Sequence, residues 1–226
     1  MKTYRIALIP GDGIGKEVVP AGVKVLEAAA RVKGASAGLP ASRRGQVPPV
    51  ATRSAAGEAV EAFALSFERF EWGCEYYLRT GRMMPEDGLE QLRPFDAIYL
   101  GAIGHPTVPD HISLRELLLK IRFGFDLYVN LRPVEILPGL ETPLRGRSAA
   151  DINMLFIREN TEGEYCGLGG RFKRGTAEEV AIQQSVFTRR GTERIIRYAF
   201  EQALRRPRQR LASATKSKAM QYTKVL

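Results

Sequence analysis

With 226 residues, 44% of them hydrophobic, the chain has enough apolar material for a buried core, while the absence of any run of eighteen apolar residues excludes a transmembrane helix. Two cysteines, Cys74 and Cys166, are too few for a disulfide scaffold and read as reduced thiols. The net charge of +9 raises nucleic-acid binding, but the densest basic run, RRPRQR from Arg205 to Arg210, lacks aromatic interleaving and any nucleic-acid motif, so it reads as a solvated loop.

The N-terminus, MKTYRIALIPGDGIG, has no h-region or small-residue cleavage site, which predicts a cytoplasmic protein without a signal peptide. Tyr4 to Pro10 reads as a short apolar strand that runs into GDGIGKE and then into VVPAGVKVLEAAARV, whose apolar residues recur at helical spacing. The glycines of the loop suit a phosphate-binding turn and equally suit a tight strand-to-helix reversal, and GDGIG is not GxGxxG.

Residues 33–57, KGASAGLPASRRGQVPPVATRSAAG, are rich in Ala, Ser, Gly, Pro and Arg without helical or strand period, and read as a disordered insert. A strand, FALSFERFEWG, follows, and LEQLRPFDAIYLGAIG gives a helix end and a buried strand, Ala97 to Leu100, closing on Gly101. Residues 113–137 read as a helix and then a strand. DINMLFIREN and EEVAIQQSVFT read as further strands, the latter bordered by a glycine-rich turn at 167–170. GTERIIRYAFEQALRR is a marked helix, with Thr192 as its expected cap and Ile195, Ile196, Ala199, Phe200, Ala203 and Leu204 on one face. RLASATK reads as a last short strand. Strands alternating with helices predict an α/β architecture.

Three arginines stand at the ends of these elements. Arg122 closes SLRELLLKIR, Arg132 follows LYVNL, and Arg158 follows INMLFI. Each fork can bind a carboxylate bidentately, so their convergence would hold a dicarboxylate.

Four motifs in order, IPGDGIGKE, NLRPVEILPG, IRENTEGEY and ATKS, resemble the metal-dependent decarboxylating β-hydroxyacid dehydrogenases, which include the isocitrate and 3-isopropylmalate dehydrogenases. EYYLRTGRMMPEDGLEQL, VPDHISL and RFGFDLYVNLRP look most like the tartrate dehydrogenase and D-malate dehydrogenase branch. The resemblance covers the chain apart from 33–57. It implies an isopropylmalate-dehydrogenase-like mixed-sheet sandwich rather than a Rossmann fold, with a first domain over 1–100 and a second, substrate and dimerisation domain over 101–226, both incomplete at the C-terminal side.

It also implies an NAD-dependent oxidation and decarboxylation of a 2-hydroxy dicarboxylate such as D-malate or tartrate, in a homodimer, with Mg2+ or Mn2+ as Lewis acid. Arg122, Arg132 and Arg158 match the arginines that grip the substrate carboxylates. Tyr165 matches the tyrosine that protonates the enol, and Lys216 the lysine that helps deprotonate the substrate hydroxyl across a dimer interface. Gly11, Asp12, Gly13, Gly101, Ala102 and Gly104 match cofactor-facing segments.

The resemblance places the metal's aspartates downstream of Leu226, so no metal ligand is expected here and little turnover from the isolated chain. His105 and His111 read as structural or surface side chains, since this metal prefers carboxylate oxygen. Lys218 stands where the family has Asn near the nicotinamide, and Arg115 and His105 where the branch tends to have Trp. The alternative reading is a catalytically inactive relative acting as a remnant or assembly partner. Neither nucleic acid nor membrane is an expected partner.

Overall fold

The computed structural model describes residues 2–34, 63–215, 218 and 222. The chain divides into two compact units, Met1–Ile121 and Arg122–Leu226, so the expected boundary at 100/101 lies inside the first unit. Most of the expected insert, and Lys216, lie outside the described residues, whereas Lys33 and Gly34 at its start still belong to the first helix. Among the described residues no helix is long and apolar enough to cross a membrane.

In the first unit, β1 (Lys2–Gly11) lies between β2 (Phe63–Arg69) and β3 (Ala97–Ala102) in a parallel sheet of order β2-β1-β3. A central parallel strand is covered on both faces and therefore needs apolar residues at successive positions, which IALIP supplies. Ala7 and Ile9 are fully buried. The register runs Tyr4↔Leu65 on one side and Leu8↔Tyr99 on the other. Helix α1 (Gly15–Gly34) packs on all three strands. It buries Val19 and leaves Val18 and Val25 exposed.

Beyond β2 the chain leaves the sheet at Phe70, so the expected strand is shorter than FALSFERFEWG. Phe70, Trp72 and Phe95 form an aromatic cluster, with Phe70–Trp72 centroids at 4.7 Å and Phe70–Phe95 at 5.5 Å. Aromatic packing takes over from strand pairing at this point. The short helices α2 (Cys74–Thr80) and α3 (Gly88–Leu92) follow, and Met83, Met84 and Leu92 close the core beside them.

The helix expected after residue 113 begins earlier and is not uniform. α4 (Asp110–Ser113) and α5 (Lys120–Gly124) flank a π-helical segment, Leu114–Leu119. Leu117, Leu119 and Ile121 are buried. A π turn accommodates one more residue than an α turn and so re-aims the side chains that follow.

In the second unit, β4 (Val129–Glu135) and β5 (Asn153–Glu159) pair antiparallel, from Val129↔Glu159 to Glu135↔Asn153. A second ribbon pairs β6 (Gly169–Phe172) with β7 (Val180–Gln183). The expected glycine-rich turn is thus half strand, because Gly169 and Gly170 enter the β6 ladder and the reversal falls after Phe172.

Helix α6 (Arg189–Leu204) packs on β5. Its cap is Thr188 rather than Thr192, for Thr188 holds the extended backbone of a cap and its hydroxyl accepts Gly191 N–H at 2.9 Å. Its expected apolar face is only partly used. Ala203 is buried, while Ile196, Phe200 and Leu204 are exposed. RLASATK is not a strand over 210–215. No neighbouring strand among the described residues offers it a ladder, and a strand does not exist without one.

Cys74 is fully buried, and burial, with the Asp12 carboxylate beside it, pushes its thiol up to about 12. Cys166 is half-buried. A thiol reagent applied to the native chain is expected to modify Cys166 and spare Cys74, with the second equivalent reacting only in denaturant. Equal labelling of both thiols without unfolding would contradict this burial.

Candidate active site

The first unit assembles the glycine-rich segments. Gly11 ends β1 opposite Ala102 in β3, with φ of +71°, and a Cβ there would lie 2.2 Å from the Ala102 carbonyl oxygen. Only glycine accommodates both the left-handed backbone and that approach. The turn is closed by Asp12 N–H donating to Ala102 O at 2.7 Å. Gly11, Asp12 and Gly13 are thereby brought beside Gly101, Ala102 and Gly104.

Within this group Asp12 points inward. Its side chain is 2% exposed and accepts Cys74 N–H at 2.9 and 3.0 Å, Glu75 N–H at 3.3 Å and Gly104 N–H at 3.1 Å. The carboxylate therefore meets the otherwise unpaired donors at the start of α2 and ties the 101–104 segment to the loop. Nothing lies within 4 Å of where a Cβ would stand on Gly13 or Gly104. These two glycines leave the outer side of the loop open.

Sequence reasoning placed Asp12 with the glycines but missed its work as a cap for a helix about sixty residues away. A hydrogen bond between residues so far apart leaves no local spacing signal. His105 is taken up in a local turn, its Nδ1 accepting Thr107 N–H at 3.3 Å, and His111 is exposed.

The second unit assembles the arginines. Asn130 pairs with Arg158 and Arg132 with Phe156 across β4 and β5. Directly opposed residues share a face and alternate ones return to it, so Asn130, Arg132 and Arg158 emerge on one side. Arg122, in the last turn of α5, meets Arg158 at one ring: its guanidinium lies 5.4 Å from the Tyr165 ring centroid, and that of Arg158 lies 5.2 Å from it. Two cations on one electron-rich ring are a cation–π arrangement. Arg158 Nη2 also donates to the Tyr165 hydroxyl at 3.2 Å.

Burial holds the Arg122 guanidinium below the usual arginine range. Tyr165 works against that lowering, and the positive charges of Arg158 and Arg132 add to it. Arg158 and Arg132 are thus close enough for their charges to bear on Arg122. Arg122 and Arg132 are held by neutral groups, Arg122 Nη1 lying 3.5 Å from the Asn160 carbonyl oxygen and Arg132 Nε donating to Asn130 Oδ1 at 2.9 Å. Arg158 has a carboxylate nearby, Glu164 at 3.8 Å.

The IRENTEGEY stretch does more than present Arg158 and Tyr165. Glu159 faces the other side of β5 and accepts Thr161 N–H at 2.8 Å and Glu162 N–H at 2.7 Å. It also meets Arg194 of α6 at 3.5 Å. Burial raises the Glu159 carboxyl, but the donors from Thr161 and Glu162 and the Arg194 charge outweigh it and leave the group below its ordinary value. Glu162 accepts Thr188 N–H at 2.8 Å and the Thr188 hydroxyl at 2.5 Å. Gly191 makes room for it, since a Cβ there would lie 2.2 Å from a Glu162 oxygen.

Arg194 completes the support by pairing with Asp126 at 2.7 Å and standing 4.4 Å from the Tyr128 ring centroid. A concavity of about 460 Å³ along α6 is lined by Tyr128, Arg190, Arg194 and Arg197 among others and shares no lining residue with the arginine–tyrosine face. Lys216 lies outside the described residues, and Lys218 is an exposed turn residue. Among the described residues no three His, Cys, Asp or Glu side chains gather as a metal site.

Residues 50–226 match the family described as isocitrate/isopropylmalate dehydrogenase, and the chain belongs to that family. It is 55% identical over 222 residues to the D-malate dehydrogenase [decarboxylating] of Escherichia coli (strain K12), covering 97% of this chain and 54% of that protein. To the tartrate dehydrogenase/decarboxylase of Pseudomonas putida it is 48% identical, covering 96% and 53%. The solved isocitrate dehydrogenase of Methylococcus capsulatus shares its fold with a TM-score of 0.62 at 28% identity, covering 89% of this chain and 48% of that one. The chain spans about half the length of the relatives it matches. Its fold is the α/β fold of this family, as expected, over about half of it.

Two outcomes follow from these contacts. Replacing Asp12 by Ala leaves several buried backbone donors unpaired and is expected to cost roughly 2–3 kcal/mol of stability, read in urea unfolding; a change below about 0.5 kcal/mol would show the carboxylate to be dispensable. Glu159, whose carboxyl is depressed in the fold, stabilises fully above its unfolded value near pH 4, and that stability is lost as pH falls through the lower folded value. Glu159→Gln is therefore expected to destabilise the chain at neutral pH and flatten its acid unfolding between about pH 5 and pH 3.

Proposed function

We propose that this chain carries the substrate face and the cofactor loop of an NAD- and divalent-metal-dependent dehydrogenase that oxidises and decarboxylates a 2-hydroxy dicarboxylate, D-malate or tartrate being the favoured class. The observation that carries the reading is the placing of Arg122 and Arg158 against the Tyr165 ring, with Arg132 close enough for its charge to act on Arg122. Among the described residues, two of those cations have neutral partners only, so a dianion would supply the missing charge and bind in preference to a monoanion. The names of the relatives at 55% and 48% identity support the choice of substrate class.

On this reading the arginines fix both carboxylates and so orient the C2–H bond. NAD, when bound, would supply the hydride acceptor for C2, and the open outer side of the loop at Gly13 and Gly104 would let a phosphate or ribose approach the backbone closely. Loss of the β-carboxylate as CO2 leaves an enol, and the Tyr165 hydroxyl, positioned by Arg158, donates the proton that quenches it. Lys216 assists removal of the substrate hydroxyl proton. The divalent ion, when bound, would draw on ligands beyond the described residues. A homodimer and a cytoplasmic location belong to the same proposal.

Calorimetric titration of the 226-residue chain tests it. D-malate or tartrate is expected to bind more tightly than D-lactate, and Arg132→Ala is expected to weaken dicarboxylate binding by about tenfold or more, while Tyr165→Phe leaves it nearly unchanged. NADH formation with D-malate, NAD and Mn2+ reads the activity itself. Absence of both dicarboxylate binding and NADH formation, with every 2-hydroxy dicarboxylate tried, would overturn the reading.

A further inference from the structure

We propose that Asn160 and Asn130 form a directed amide relay that orients Arg132 to take a substrate carboxylate end-on, through Nη1 and Nη2. The inference rests on the reading of the arginine face given above and assigns to it two positioning residues. Asn160 is 7% exposed, an expensive place for a primary amide unless its polar atoms are used. They are: its Nδ2 donates to Leu127 O at 3.3 Å and its Oδ1 accepts Asn130 Nδ2 at 3.3 Å. Asn130 Oδ1 then accepts Arg132 Nε–H at 2.9 Å.

The direction of the chain follows from its two ends. A guanidinium Nε–H only donates, so Asn130 turns its oxygen to Arg132 and its NH2 to Asn160. Asn160 therefore presents its oxygen to Asn130 and its NH2 to the Leu127 carbonyl, which only accepts. Flipping either amide sets donor against donor or acceptor against acceptor. Both amides have a single permitted orientation, and so does the guanidinium plane they hold.

With Nε engaged, the edge of Arg132 left for a ligand is the Nη1–Nη2 pair, which matches two carboxylate oxygens. The Asn160 carbonyl oxygen lies 3.5 Å from Arg122 Nη1, so the residue that anchors the relay also borders the second arginine. A flexible arginine pays rotamer entropy when it grips a ligand, and a guanidinium already held in plane pays less. The relay thus works on dicarboxylate affinity, through Arg132, without touching the ligand.

The test uses Asn160→Ala, Asn130→Ala and the double variant, with wild type as reference. Nitrogen-edited NMR of the Arg132 Nε–H is expected to show a sharp, slowly exchanging signal in wild type that both single variants broaden or lose. D-malate binding is expected to weaken by about tenfold, as for a hydrogen bond to a charged group, while D-lactate binding moves by less than about twofold. Because the links are in series, the double variant is expected to bind like either single one rather than as their product.

A purely structural role would instead lower the unfolding midpoint while leaving the Arg132 signal and the ratio of D-malate to D-lactate affinity unmoved, and would overturn the relay. Should Asn160→Ala fail to fold, Asn130→Ala, at a half-exposed position, decides the matter by the same readouts. A wild type that binds D-malate no better than D-lactate removes the functional reading and the relay together. A discriminating wild type with unaltered variants removes the relay alone.

Discussion

The antiparallel register that sets Asn130 opposite Arg158 is the constraint on which the rest of the second unit depends. Side chains alternate across a strand, so a slip of one residue would send Arg158 toward α6 and Glu159 toward the other arginines. The slip is prevented from both sides. Glu159 is committed to Thr161, Glu162 and Arg194 on the helix side, and Asn130 is committed to Asn160 on the other. The register is therefore pinned by polar contacts on both faces of the β4–β5 ribbon.

That arrangement has a cost, because three guanidinium groups repel one another. Partial desolvation, and after it the charges of Arg158 and Arg132, lower the proton affinity of Arg122. The protein offsets this with neutral or electron-rich partners, the Tyr165 ring between Arg122 and Arg158 and the amide beside Arg132. Carboxylates at those places would relieve the repulsion more fully and would also remove the affinity for an anion. On the proposed function, this excess of charge of one sign on a paired ladder would be completed by a ligand of the other.

The first unit solves a different problem with a single carboxylate. Its glycine loop has few side chains to hold it, and flexible backbone pays heavily to be ordered. Asp12 supplies the missing constraint by accepting backbone donors from α2 and from Gly104 while remaining buried. The loop is rigid where it meets the protein and open at Gly13 and Gly104 where it does not. Both units thus place an open, polar surface on backbone that is fixed from behind by buried polar contacts.

The identity of the elements was legible in local pattern. IALIP, INMLFI and the period of GTERIIRYAFEQALRR each declare a strand or a helix, because burial on two faces, one face or a stripe writes a distinct period. The order of four motifs was enough to indicate the family. What local pattern missed were features settled by partners distant in the chain: Thr188 rather than Thr192 as the cap of α6, because Glu162 holds it; Gly169 and Gly170 as strand, because β7 pairs with them; residues 210–215 without a strand, because none among the described residues pairs with them. The same division holds at the site. The sequence by itself offered Arg122, Arg132 and Arg158 beside apolar elements as candidates for a dicarboxylate, with Tyr165 implied by the family resemblance, although Arg132 lies inside β4 rather than after it. Only the tertiary structure decided that they meet, and that Asn130, Asn160, Glu159 and Arg194 hold them there, since convergence is a property of register and packing and leaves no trace in the spacing of residues along the chain.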